Sequence, residues 1–204
     1  MAELKLPISE ETARGLKVGD FLEVSGSMVT GRDAVHKWLV DTFIKKISQP
    51  TAQDLAVYGA IKPMLNGSAI FHCGPVVGGL EDQTYRFVSA GPTTSIRLEP
   101  YQGDVMRHFN LKGVIGKGGM GGETLKACQE VPAVYFHAVG GAASLIAGSV
   151  KRVPGVYKLE FGVPEAIWVI RVEDFPVVVT MDAHGSSLHE SVRHKSKSVL
   201  DKLL

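Results

Sequence analysis

Short apolar runs rich in β-branched residues, each stopped by glycine or by Gly-Pro, recur along most of this chain, and they limit its fold more than any other feature. Ser68-Ala-Ile-Phe-His-Cys-Gly-Pro, Tyr85-Arg-Phe-Val-Ser-Ala-Gly-Pro, Gly113-Val-Ile-Gly and Ala133-Val-Tyr-Phe-His-Ala-Val all have strand length, and the last two lead into glycine turns followed by helix-like sequence. Buried strands alternating with helices read as an α/β fold. No Pro- or Ser-rich linker, internal repeat or low-complexity tract divides the chain, so residues 1–204 are expected to form a single domain.

Local patterns give further expectations. Residues 17–26, Lys-Val-Gly-Asp-Phe-Leu-Glu-Val-Ser-Gly, alternate like a half-buried strand that ends at glycine. A helix should follow, with Thr30 as its cap and Ala34, Val35, Trp38, Leu39, Phe43, Ile44 and Ile47 on its apolar stripe. The runs at 68–75 and 85–92 read as adjacent strands. Two further strands, Ala166–Val172 and Val177–Met181, are separated by Glu-Asp-Phe-Pro, and a polar tail from Ser187 is expected to be helical or frayed.

A net charge of +1 supplies no long-range field for nucleic acid or an anionic membrane, so any anion recognition has to be local. The first residues lack a basic segment followed by an apolar run, and no apolar stretch reaches the roughly 18 residues of a membrane span, so a cytoplasmic protein is expected. Two widely separated cysteines, Cys73 and Cys128, cannot by themselves hold a four-cysteine metal site.

Four loops combine glycine with a cation or a hydroxyl, as a small dicarboxylate site requires. In Thr30-Gly-Arg-Asp, Arg32 could offer its planar fork to a carboxylate from the mouth of a helix, although a surface arginine in a first turn fits the same pattern. In Gly91-Pro-Thr-Thr-Ser-Ile-Arg, Arg97 follows Thr93 by four residues, which puts both on one face if a helix begins there; simple capping is the alternative. Gly116-Lys-Gly-Gly-Met-Gly imitates the dinucleotide fingerprint, but no acidic residue stands where the ribose would need one, which leaves Lys117 on a glycine turn. Met181-Asp-Ala-His-Gly with His189 invites a metal reading of Asp182, His184 and His189, against which stands the commoner strand-ending Asp with a solvated His. His72 beside Cys73 reads as a strand-end or core pair.

Taken in order, Thr30-Gly-Arg-Asp-Ala-Val-His, Gly91-Pro-Thr-Thr-Ser-Ile-Arg, Gly116-Lys-Gly-Gly-Met-Gly, Ala138-Val-Gly-Gly-Ala-Ala, Val172-Glu-Asp-Phe-Pro and Met181-Asp-Ala-His-Gly resemble the C-terminal part of class I fumarases, from about Leu16 to Leu188. The resemblance implies a swivelling β/β/α domain with a mixed sheet and flanking helices. It implies the beta subunit of a two-subunit fumarate hydratase, a hydro-lyase that interconverts fumarate and L-malate, working with an alpha subunit in an alpha2beta2 assembly. That partner, and not this chain, would hold a 4Fe-4S cluster with one open iron. By the same likeness Arg32, Arg97 and Lys117 would grip the substrate carboxylates, Thr93 would be the catalytic base acting with Lys117, and Asp33 and Thr94 would support them. The threonine would need activation by an ionised group, expected on the alpha subunit. Lys-Gly-Gly-Met also occurs in the related L(+)-tartrate dehydratase beta subunits and leaves the substrate open, while Thr-Gly-Arg-Asp-Ala-Val-His is more fumarase-like. A binding module for small carboxylates without catalysis is the alternative of a different class.

Overall fold

The computed structural model describes residues 2–203. Its elements run β1 (Ala2–Lys5), α1 (Glu10–Gly15), β2 (Phe21–Thr30), α2 (Asp33–Leu39), α3 (Ala52–Leu65), β3 (Ala69–Phe71), β4 (Val76–Gly78), β5 (Arg86–Ser89), α4 (Glu99–Phe109), β6 (Gly113–Gly116), α5 (Gly122–Glu130), β7 (Val134–His137), α6 (Ala143–Ser149), β8 (Val150–Tyr157), β9 (Ile167–Met181) and α7 (Leu188–Leu200). The fold is α/β, with a mixed sheet and flanking helices, as the run-and-glycine pattern predicts.

Strands β2, β3, β6 and β7 lie side by side and parallel. β9 runs antiparallel to β7 on one edge and to β2 on the other, so the ladder closes on itself. β1 extends β2 in parallel, β8 lies antiparallel on β9, and β4 and β5 form a separate ribbon. Closure leaves the central parallel strands buried on both faces, and that is why they read as near-continuous apolar runs.

Alternate residues of those strands feed two cores. Ala69, Phe71, Ile115, Val134 and Phe136 point inward to meet Trp168, Ile170 and Phe175 of β9. Ile70, Val114 and Tyr135 face the helices, against Val35, Leu39, Ile61, Met106 and Ala127. At about 1.5–3 kcal/mol for each fully buried Val, Leu, Ile or Phe, these two layers supply the driving force that holds the loop ends in place.

Several expectations are corrected. β2 does not end at Gly26. It begins at Phe21, after a turn, and continues to Thr30, and Gly26 with φ +132° marks a bulge against β9 where an added Cβ would lie 2.8 Å from the Leu6 Cβ. Thr30 caps no helix: fully buried, it donates to the Ala166 carbonyl at 3.2 Å and accepts from the Trp168 amide at 3.0 Å, which pins the end of β2 to the start of β9. The N-cap of α2 is Arg32, without a side-chain cap. After Leu39 the helix widens into a π turn over Val40–Ile44, and Ile47 lies beyond it, exposed. The runs at 68–75 and 85–92 are not neighbouring strands: β6 takes the edge of β3, β5 pairs with β4, and only an isolated bridge joins Cys73 to Pro92. The two tail strands are one, because Glu-Asp-Phe-Pro passes through β9 with Asp174 at φ +51° and Phe175 fully buried in the inner core. Among the described residues no helix is long and apolar enough to cross a membrane.

Asp54, the third residue of α3, joins its own helix to α2 and to the segment after β8. It accepts from the Thr51 amide and hydroxyl, the Trp38 indole and the Lys158 ammonium, with side-chain exposures of 13% for Asp54 and 9% for Lys158. The Thr51 amide above all, then its hydroxyl, Lys158 and Trp38, outweigh partial burial and hold the carboxyl well below the usual range. Because the folded value is depressed, its contribution is present above the unfolded value near about 3.9 and is lost as pH falls. Asp54→Asn should therefore be less stable than the wild type at neutral pH, by about 1–3 kcal/mol, with the gap closing below about pH 4. Denaturant melts across that pH range check this; a gap that stays constant would assign the loss to something other than the ionised carboxylate.

Candidate functional site

The closed sheet sends the loops after β2, β3, β6 and β7 out from the carboxyl ends of adjacent parallel strands, the place where open α/β sheets bind their ligands. All six residues expected at the site lie there: Arg32 and Asp33 after β2, Thr93, Thr94 and Arg97 on the segment that returns past the end of β3, and Lys117 after β6.

Backbone pairing brings Thr93, Thr94 and Lys117 together. The Thr93 amide donates to the His72 carbonyl at 2.7 Å, the Lys117 amide to the Thr93 carbonyl at 3.3 Å, and the Ser95 amide to the Lys117 carbonyl at 3.0 Å. Residues 93–95 thus act as a short parallel strand against Lys117. The expected shared helical face of Thr93 and Arg97 does not form, because the helical segment starts only at Ser95, as a 3-10 turn leading into α4.

The arginines are held differently. Arg97 Nη2 lies 2.9 Å from Asp33 Oδ2, an exposed pair that joins the two loops but is worth only about 0–1 kcal/mol and so leaves the guanidinium free to turn. Arg32 is more enclosed: its Nε lies 3.2 Å from Glu165 Oε1, and its Nη1 donates to the Pro164 carbonyl at 3.4 Å. It lies flat on Gly74, where any Cβ would come within 2.2 Å of Nη1. Among the described residues neither arginine bonds to the Thr93–Lys117 pair. Three cations against Asp33 and Glu165 leave the ledge with net positive charge for an incoming dianion.

Lys117 sits on the turn its sequence predicts. Gly118 and Gly119 take φ of +80° and +77°, and a Cβ on Gly119 would meet the His189 ring at 2.3 Å. Glu99 secures the far side of that turn. One carboxylate oxygen accepts from the Gly121 amide at 2.7 Å and the Thr124 hydroxyl at 2.7 Å, and the other from the Glu123 and Thr124 amides at 2.9 and 3.1 Å. Glu99 therefore caps α5 from the first turn of α4, tying the Thr93–Arg97 segment to the Lys117 turn.

Beneath the ledge lies a buried polar chain that sequence reasoning missed. Gln102 touches both His36 Nε2, at 2.9 Å, and His72 Nε2, at 2.8 Å; His36 Nδ1 lies 2.9 Å from the Arg32 carbonyl, and His72 Nδ1 lies 2.9 Å from Ser95 Oγ. The Tyr135 hydroxyl donates to Ser95 Oγ at 2.9 Å, and the Gly119 amide faces the same phenol oxygen. All five side chains are fully buried. Burial pushes both imidazoles below their ordinary value, His72 further because His36 stands against it, and pushes the Tyr135 phenol up. His36 and Ser95 lie inside two of the singled-out motifs, so the only available signal was a histidine and a serine on the apolar side of conspicuous arginines.

The three residues of the metal reading have separate tasks. Asp182, buried, accepts from the Val18, His184 and Ser186 amides; His184 Nε2 meets the Arg14 carbonyl; His189 Nε2 meets Thr180 Oγ1. Among the described residues no three His, Cys, Asp or Glu side chains cluster as a metal set. Both cysteines are buried thiols, Cys128 pushed by burial up to about 12 and Cys73 raised further, so this chain's own donors do not suit an iron–sulfur cluster.

The family described as Fumarase C-terminus matches residues 1–192. A Geobacillus stearothermophilus protein provisionally named fumarate hydratase class I is 50% identical over 200 residues, 98% of this chain, which spans only 35% of that longer protein. A Methanocaldococcus jannaschii protein provisionally named L(+)-tartrate dehydratase subunit beta is 37% identical over 199 residues, covering 97% of this chain and 95% of its own length. The L(+)-tartrate dehydratase subunit beta of Escherichia coli K12 is 37% identical over 186 residues, covering 91% and 85%. With its glycine-borne cations at the carboxyl ends of parallel strands and this match along nearly its whole length, the chain belongs to the fumarase C-terminus family.

Proposed function

We propose that this chain is the beta subunit of a two-subunit class I fumarate hydratase, a single domain that contributes half of an active site and works only when docked on an alpha subunit, in an alpha2beta2 assembly in the cytoplasm. The observation that carries the reading is the pairing of Thr93 with Lys117 between Arg32 and Arg97 on loops from adjacent parallel strands. Arg97 and Lys117 bind one substrate carboxylate, Arg32 the other, and their positive charge stabilises the carbanion-like character that develops as a proton leaves carbon. Thr93 takes that proton through its hydroxyl, with Thr94 and Asp33 supporting the loop geometry.

A threonine hydroxyl is too weak a base alone. Glu165 is held by Arg32 and the Ala34 amide and Glu99 by α5, while Asp33 meets Arg97 in an exposed pair. In line with the family resemblance, the activating carboxylate is assigned to the partner. So is the 4Fe-4S cluster, since neither buried cysteine here is a candidate ligand.

Anaerobic mixing with a cluster-loaded alpha subunit should produce fumarate hydration that neither chain shows alone. No turnover of fumarate, malate or tartrate by a verified complex would reject the proposal. The L(+)-tartrate dehydratase beta subunit is the second reading, favoured by relatives of that name whose length this chain nearly matches. The ratio of kcat/KM for malate to that for tartrate separates the two.

A further inference from the structure

The chain of buried groups under the ledge contains a contradiction that identifies its key member. The Arg32 carbonyl can only accept, so His36 Nδ1, 2.9 Å away, must carry a hydrogen. A neutral imidazole has only one, which leaves His36 Nε2 bare and in need of a donor at its 2.9 Å contact with Gln102. With Gln102 Oε1 in that place two acceptors face each other, while the amide Nε2, fully buried, has no partner. Charging His36 would remove the clash of acceptors, but it would put an uncompensated cation in a fully buried position beside a second imidazole. Arg32 meets the ring through its backbone carbonyl, and the charged group acting on it is Asp33 of its own helix, which is paired with Arg97.

Turning the amide over removes the clash of acceptors and leaves the carbonyl oxygen, for which an unmet partner is less costly than for an N–H, where the unpartnered nitrogen stood. The NH2 group then gives one hydrogen to His36 Nε2 and the other to His72 Nε2; His36 donates from Nδ1 to the Arg32 carbonyl, and His72 donates from Nδ1 to Ser95 Oγ. A single amide on α4 thus orients, through the two rings, the Arg32 carbonyl and the Ser95 hydroxyl. Ser95 accepts from Tyr135, and the Tyr135 oxygen faces the Gly119 amide of the Lys117 turn.

We propose that Gln102 is the positioning residue of this site: its amide nitrogen lies between His36 and His72 and, through them, holds Arg32, Thr93 and Lys117 in one register. The proposal rests on the reading of these loops as a dicarboxylate site, and it predicts a tautomer that can be measured without activity. Long-range 1H–15N spectra of the purified chain should show both rings as neutral Nδ1–H tautomers at neutral pH. Nε2–H or doubly protonated rings would overturn it.

Gln102→Glu keeps the shape but presents only acceptors to both rings. It should protonate His36 on both ring nitrogens, move the His72 hydrogen to Nε2, and shift the Thr93 and Lys117 amide resonances; unmoved amides would refute the positioning role. In the assembled complex Q102E should lower kcat by about 10-fold or more and raise KM for the dicarboxylate, because misplacement of catalytic groups by about 1 Å can cost 10²-fold. Native kcat and KM in Q102E would sink the proposal. An inactive wild-type complex would instead sink the hydro-lyase reading and leave the tautomers and amide shifts to judge Gln102. Should Q102E fail to fold, the wild-type tautomers still decide.

Discussion

Lys117→Ala is expected to lower kcat/KM of the assembled enzyme by about 10²–10³-fold, the loss typical when one preorganised charge or donor is removed from a developing anion. The side chain is half-buried, with its stem against Gly140, and it belongs to no ion pair or side-chain hydrogen bond identified among the described residues. Its turn is held by Gly118, Gly119 and Glu99 and does not depend on the ammonium. Truncation should therefore leave melting temperature and partner assembly near native. Thr93→Ala should behave alike, because its structural bonds run through the backbone, while Thr93→Ser keeps the hydroxyl and should retain most of the rate. Steady-state fumarate hydration, with size-exclusion chromatography of the complex, checks all three. Rates within about 3-fold of native in K117A would remove Lys117 from the chemistry, since that is below what a charge of this kind contributes.

Glu99→Ala should have the largest structural effect of any change near the site. It leaves the Gly121, Glu123 and Thr124 amides and the Thr124 hydroxyl without their acceptor at once. Charge-assisted bonds of this kind contribute about 1.5–3 kcal/mol, and water can replace part of a half-buried cap, so a loss of about 2–4 kcal/mol is expected. For a chain of this size that corresponds to a fall of about 4–16 °C in melting temperature. Glu99→Gln, which keeps one acceptor oxygen, should lose clearly less. Because the same bonds anchor the Lys117 turn, the surviving folded fraction of E99A should also bind the dicarboxylate more weakly. Thermal unfolding and KM measured together test the coupling; a fall in melting temperature with unchanged KM would show that the cap serves α5 alone.

The parts of this molecule that were legible in its sequence are those governed by local rules. Strands β3, β6 and β7 announced themselves because burial on both faces makes them apolar runs, and the glycines at 118 and 119 marked a turn that requires positive φ. Arg32, Arg97 and Lys117 stood out because each is a cation in a glycine-containing loop motif, whereas Thr93 as a base and Asp33 and Thr94 as its supports entered only through the family resemblance. What sequence could not supply was pairing between distant segments. Thr30 looks like a cap until the Ala166 carbonyl and the Trp168 amide are seen to claim it, and Glu-Asp-Phe-Pro looks like a turn until β2 is found alongside residues 169–178 of β9. Some signals were present and went unread: α3 carries Val57, Ile61 and Leu65 at helical spacing behind a Thr51–Asp54 capping box. Gln102 carries no local mark, since it becomes central only when two histidines 36 positions apart in the chain meet around it.

The closure of the sheet also sets the order in which this protein can be made. Residues 21–29 must wait for residues 169–178 before their second edge is covered, so the candidate-site loops are all synthesised before the strand that locks their base exists. Contacts of such sequence separation are slow to form, and the parallel edge left open in the meantime is a template for pairing with the wrong chain. Until β9 has been made, that edge of β2 stays uncovered, the condition under which partly folded chains are exposed to aggregation.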